Sequence, residues 1–358
     1  MKTASVNLPD QDLISQHHAT DKVIAKWLFV MCGMVFFMMI LGGLTRLTHS
    51  GLSMVNWRPV MGWLPPIGLQ EWQYVFDLYK ESPEFKKLND GMTIEGFKSI
   101  FWLEYSHRLW GRIMGVMFLL PFIFFLVKGW VNRKLMLRLI IIFLMGAFQG
   151  VLGWYMVKSG LIDNPDVSQY RLTAHLSAAI AIYGYMFWVG MSLVKTGHGV
   201  LILTSPRLMI ASIFTVFWIF LTMISGGFVA GLDAGLTYNT FPLMDGQFVP
   251  DGLWNRDPWY SNFFENITTV QFDHRILAET SLFLIVGVWL ASRKTNISNS
   301  ARALFNAMLI MVLVQFVLGI ITLMFVVPIF VASLHQIGAL VLFTFLLCAI
   351  HTLIDHSN

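Results

Sequence analysis

Eight continuous apolar stretches, each close to the twenty or so residues that carry a helix across a bilayer, constrain this chain before any other feature. They run at about 27–45, 101–127, 135–157, 172–194, 208–230, 270–292, 303–326 and 332–353. Only 12% of the 358 residues are charged, whereas a soluble domain carries roughly a quarter. The expected fold is therefore an all-α polytopic membrane protein. The runs are unbroken rather than alternating, which argues against a membrane β-barrel.

Residues 1–26 are polar and mixed in charge, with Asp10, Asp12 and Asp21 beside Lys2, Lys22 and Lys26. They read as an N-terminal tail, with neither the apolar core of a signal peptide nor the arginine bias of a transit peptide. Lys128, Arg133, Lys134 and Arg138 fill one short connection, and Arg293, Lys294 and Arg302 another. Short basic loops stay inside, so these loops and both termini are expected on the cytoplasmic side. The net charge of +4 then serves topology and gives no reason to expect a nucleic-acid partner. The long loops 46–100 and 231–266 fall outside. In the first, Trp57, Pro59, Trp63, Pro65 and Pro66 precede a run from Leu69 to Leu88 with Trp72, Phe76 and Tyr79 at helical spacing. That pattern suggests a helix lying on the membrane surface. The two cysteines, Cys32 and Cys348, fall in different spans and read as small buried hydrophobes.

Matching signals recur in matching order. Gly42-Gly43 reappears as Gly226-Gly227 at an offset of 184, and His107-Arg108 as His274-Arg275 at 167. Gln149 and Leu152-Gly153 reappear as Gln315 and Leu318-Gly319 at 166, and His175 as His335 at 160. Such ordered recurrence indicates duplication of a four-helix unit: an N-terminal half at 27–195 and a C-terminal half at 208–353.

Four of the ten histidines lie near the outer ends of spans two, four, six and eight: His107, His175, His274 and His335. Ionisable groups inside a membrane are costly and face a bundle interior. Two per half, on alternate helices and at one depth, suit a flat metal macrocycle gripped from both faces. A bare zinc or copper ion wants three or four ligands, whereas haem iron needs only axial ones. Arg108, Arg112 and Arg275 are candidate partners for propionates, or snorkel to headgroups. Glu104 lies three residues before His107, on the same helix face; in the second half its place is taken by Gln271. This difference marks the N-terminal half as the catalytic one, with Glu104 as the proton-handling group.

Gly42-Gly43-Leu44-Thr45-Arg46-Leu47-Thr48, Ser50-Gly51-Leu52-Ser53-Met54, Gly62-Trp63-Leu64-Pro65-Pro66 and Glu104-Tyr105-Ser106-His107-Arg108-Leu109-Trp110-Gly111-Arg112 together resemble the haem A synthases with a long first outer loop. The resemblance covers nearly the whole chain. At His49 the family pattern would lead one to expect Glu. The resemblance implies an oxidoreductase of the bacterial plasma membrane that converts the C8 methyl of haem O into a formyl group by two hydroxylations, for cytochrome oxidase assembly. It implies haem O between His107 and His175, haem b between His274 and His335, and a site facing the periplasm. A membrane electron donor, the farnesyltransferase that makes haem O, and a second copy of the chain are the partners to consider. A di-haem cytochrome b electron carrier and a haem exporter or chaperone are the rival readings.

Overall fold

A computed structural model describes residues 10–56, 62–161, 167–194, 201–203 and 205–356; Trp57, Pro59 and His198 lie outside them. Eight of its helices are long and apolar enough to cross a membrane, and the chain is an all-α multi-pass membrane protein. In chain order these are α1 (Asp10–Leu47), α4 (Ile94–Val127), α5 (Arg133–Gly160), α6 (Gln169–Val194), α7 (Pro206–Gly231), α9 (Ile267–Arg293), α10 (Asn299–Met324) and α11 (Ile329–Thr352). Short helices α2 (Gly68–Lys80), α3 (Pro83–Leu88) and α8 (Asn262–Glu265) lie in the long connections.

Helix starts are written in local chemistry. Thr93, Asn132, Ser205 and Ser298 each accept a bond from the backbone N–H three residues on, and Asn266 accepts from Thr268, satisfying donors that the first turn leaves free. The tail boundary expected at residue 26 falls inside α1, and Ile24, Ala25 and Leu28 are fully buried. The apolar face of α1 therefore begins before its continuous apolar run does.

α1 packs on α4 and α6, and α5 on α6; α7 packs on α9 and α11, and α10 on both α9 and α11. The two groups meet where α1 touches α11 and where α6 touches α7 and α11. Small residues let the helices close there. A Cβ on Gly184 would lie 3.0 Å from the Phe343 ring, and one on Gly227 3.0 Å from Thr173 Oγ1. Polar ties cross the same seam, Tyr183 Oη to Thr344 Oγ1 at 2.8 Å and Gln336 Nε2 to the Met39 carbonyl at 2.8 Å. At the long-loop end Arg46 donates to the Ala230 carbonyl and, at 2.9 Å, to Asp233 Oδ1. At the opposite end Leu201–Leu203 and Ile354–His356 form a two-stranded antiparallel ribbon, tying the connection between the groups to the C-terminal segment.

The first long loop differs from expectation. Its run from Leu69 to Leu88 is broken into α2 and α3 at Ser82, and Trp72, Phe76 and Tyr79 turn onto α4 rather than lying flat on a membrane surface. The cause is the length of α4, which starts at Ile94 and offers Phe97, Phe101 and Tyr105 as a stripe spaced by four. Trp72 meets Phe101 edge-on at 5.0 Å, and Tyr79 stacks on Phe97 at 5.1 Å. For the same reason His107 lies between three and four turns into its helix, deeper than its place near the start of the apolar run suggested.

Gly231→Ala should destabilise the protein by about 1–3 kcal/mol. Its Cβ would lie 2.7 Å from the backbone Cα of Gln169, which cannot swing aside; a lowered Tm in detergent is the expected result, and an unchanged one would contradict this packing.

Candidate functional site

Each of the four intramembrane histidines rests on a glycine of a neighbouring helix. A Cβ on Gly42 of α1 would stand 3.4 Å from His107 Nε2, and one on Gly153 of α5 3.3 Å from His175 Cε1. The same construction places Gly226 of α7 3.1 Å from His274 Cε1 and Gly319 of α10 3.0 Å from His335 Cε1. These glycines are the repeated ones, Gly42 with Gly226 and Gly153 with Gly319. A side chain at Gly153, Gly226 or Gly319 would press its imidazole aside by a few tenths of an ångström, while a Cβ at Gly42 would meet His107 at ordinary contact distance. His107 and His175 are close enough to interact electrostatically, as are His274 and His335. The rings thus come together as two pairs, His107 on α4 with His175 on α6, and His274 on α9 with His335 on α11. Among the described residues no three of His, Cys, Asp and Glu converge on one point. Two-ligand sites fit a metal whose other positions are filled by a macrocycle.

The pairs differ in what holds them. His274 Nδ1 lies 2.8 Å from Ser225 Oγ, whose own proton goes to the Thr222 carbonyl at 2.7 Å. The hydroxyl therefore accepts, Nδ1 carries the proton, and Nε2 keeps its lone pair for a metal. Gln315 Nε2 stands 3.1 Å from His335 Nδ1 and 2.8 Å from its carbonyl oxygen. In the first pair, Gln149 Nε2 reaches the His175 carbonyl at 2.9 Å, yet His175 Nδ1 is buried with no partner. An offset of 184 sets Leu41 where His274 has Ser225, so no hydroxyl is available to His107 there. Both rings of the second pair thus have a hydrogen-bonding side chain behind them, whereas His175 Nδ1 of the first pair has none.

Glu104 is 2% exposed. Its Oε2 accepts from Ser53 Oγ at 2.7 Å and from the Met54 N–H at 2.8 Å, and its Oε1 is paired with Arg108. Arg108 also donates to the Met54 carbonyl at 2.9 Å. Gln271 repeats the knot with reversed polarity: its Nε2 donates to the carbonyls of Ala234 and Thr237, and its Oε1 accepts from Arg275 at 3.1 Å. Arg275 donates in turn to the carbonyls of Tyr238 and Thr240. The Glu-to-Gln difference follows from the facing loops, one presenting donors and the other acceptors. Both arginines therefore fasten loops, while Arg112 lies one turn further along α4 from Arg108 and only partly buried. His49 takes a left-handed backbone (φ 50°) and contacts Arg46, and Asp233, its counterpart at offset 184, does the same in the other half (φ 51°).

A family model described as cytochrome oxidase assembly protein (COX15-CtaA) matches residues 25–347. The chain belongs to the haem A synthase family. It is 53% identical to the haem A synthase of Nitrosospira multiformis over 339 residues, covering 94% of this chain and 95% of that one. It is 44% identical to haem A synthase COX15 of Arabidopsis thaliana, over 95% of this chain and 77% of that one. Against human haem A synthase COX15 the identity is also 44%, over 91% and 81% of the two chains. In this haem A synthase family member, the residues that sequence reasoning passed over are Ser225, Ser53 and the Met54 N–H. The recurrence of Gln149 as Gln315 was the one visible hint of support behind a ligand.

Glu104→Ala should remove the ion pair with Arg108 and the acceptor of Ser53 Oγ and the Met54 N–H, and cost about 3–5 kcal/mol. Faster proteolysis within residues 48–93 is the expected readout; wild-type resistance would contradict the anchoring.

Proposed function

We propose that this chain is a haem A synthase that oxidises the C8 methyl of haem O to a formyl group by two successive hydroxylations, yielding haem A for terminal oxidases. The change from methyl to formyl removes four electrons in total. The substrate haem belongs between His107 and His175, and a resident haem b between His274 and His335. When bound, haem b supplies a one-electron carrier within the membrane. The unequal support of the two histidine pairs carries this assignment. Second-shell hydrogen bonds fix ligand orientation and raise affinity, as a permanent group requires, whereas a substrate must enter and leave.

Glu104 is the carboxylate nearest in sequence to either ligand of the substrate pair and shares the His107 face of α4. Its role is to hold or pass a proton in the reaction, and Ser53, Met54 and Arg108 keep it in position. Arg112 and Arg275 suit the propionates, with Arg108 divided between that task and the loop. The long loops and both sites face the periplasm of a bacterial plasma membrane, with the termini in the cytoplasm. A membrane-bound donor and the farnesyltransferase supplying haem O complete the expected surroundings.

Two measurements test this. Membranes from a host that makes haem O but lacks haem A, expressing the chain, should contain haem A by chromatography and mass. His107→Ala should abolish it, and Glu104→Gln should lower it by about 100-fold or more with total bound haem unchanged. Unaltered haems B and O in the wild type would favour an electron carrier or exporter. Separately, Ser225→Ala should weaken retention of the resident haem by about 10–100-fold, read as faster haem transfer to apomyoglobin, while Leu41→Ala should not.

A further inference from the structure

The polar residues of the first long loop do more than cap helices. Glu84 of α3 is 4% exposed, and its Oε2 accepts from Tyr79 Oη at 3.0 Å; that phenol oxygen in turn accepts from Asn89 Nδ2 at 2.7 Å. The Tyr79 ring is fully buried against Phe97 of α4. The same aromatic cluster takes in Phe85, the neighbour of Glu84, and Met54, whose N–H holds Glu104. One packed body therefore carries both carboxylates, and Glu104 acts electrostatically on Glu84 and on Tyr79.

We propose that Glu84 is the proton acceptor between Glu104 and water at the long-loop end, with Tyr79 setting its affinity for the proton. This rests on the oxidative reading above. Oxidising a methyl group removes hydrogens, and their protons must leave the site. The step is electron-neutral. Glu104 as the acid gives its proton to the Glu84 carboxylate, so that Glu104 returns to the ionised form and Glu84 becomes the acid. Glu84 then releases the proton to water.

The groups facing Glu84 are Tyr79 from α2 and Glu104 from α4, and the Lys86 ammonium beside it on α3 pairs with Glu81. Burial first, then the Glu104 charge, push the Glu84 carboxyl up from 4.5 to about 7, against the downward pull of the Tyr79 bond. Between those pH values the folded protein holds this proton more firmly than the unfolded chain, so stability falls as pH rises through the window. Glu84→Gln removes that loss and should fold at least as well at pH 8.

The test is a pH-difference infrared spectrum of the haem-loaded protein over about pH 5.5–8.5, taken beside the rate of haem O conversion. A carboxyl C=O band should titrate near pH 7 in the wild type and be absent in Glu84→Gln. The rate should rise through the same pH in the wild type. In Glu84→Gln it should fall by about tenfold or more and lose that limb, with haem content unchanged. Tyr79→Phe, which keeps the ring packing, should move band and limb together to higher pH. Haem A production with band and limb intact in Glu84→Gln overturns the relay alone. A wild type that makes no haem A overturns the functional reading and the relay with it.

Discussion

Inside a bilayer no water waits to satisfy a polar group, so every one carried into the bundle must find its partner within the chain. Glu104 and Arg108 answer this by closing on each other and on Ser53 and Met54 of the loop above. Gln271 and Arg275 answer it with loop carbonyls instead. Each knot seats a long loop on the helix that carries a histidine one turn deeper.

Duplication gave two similar frames, and small departures from symmetry separate their tasks. The glycine beneath each histidine is retained in both halves, so all four imidazoles pack on a neighbouring helix in the same way. The hydrogen bonds behind the rings are not retained. Ser225 and Gln315 stand behind the second pair, while Leu41 takes the place of Ser225 in the first half and His175 Nδ1 has no partner.

Much of this was legible in the chain itself. Eight apolar runs gave the helices, since length and hydropathy alone decide whether a segment can span. The repeat offsets paired Gly42 with Gly226 and His107 with His274 before any contact was known. The interfacial helix was misread because the amphipathic face from Trp72 to Tyr79 is equally suited to lipid or to protein. Only the early start of α4 at Ile94, with Phe97, Phe101 and Tyr105 facing that run, decides for protein. Glu104 stood out as a lone carboxylate but not as one already held by three donors, two of them from residues some fifty positions away.

The sequence by itself determined the membrane class, the duplication, the family and the four candidate ligands, because these rest on composition, on periodicity and on motifs contiguous in the chain. Tertiary structure alone decided which glycine supports which imidazole, which ring nitrogen is held, and why one half carries Glu where the other carries Gln. Those outcomes depend on donors and acceptors brought together from separate helices and loops. Residue identity fixes what a group can donate or accept; packing fixes what stands opposite it.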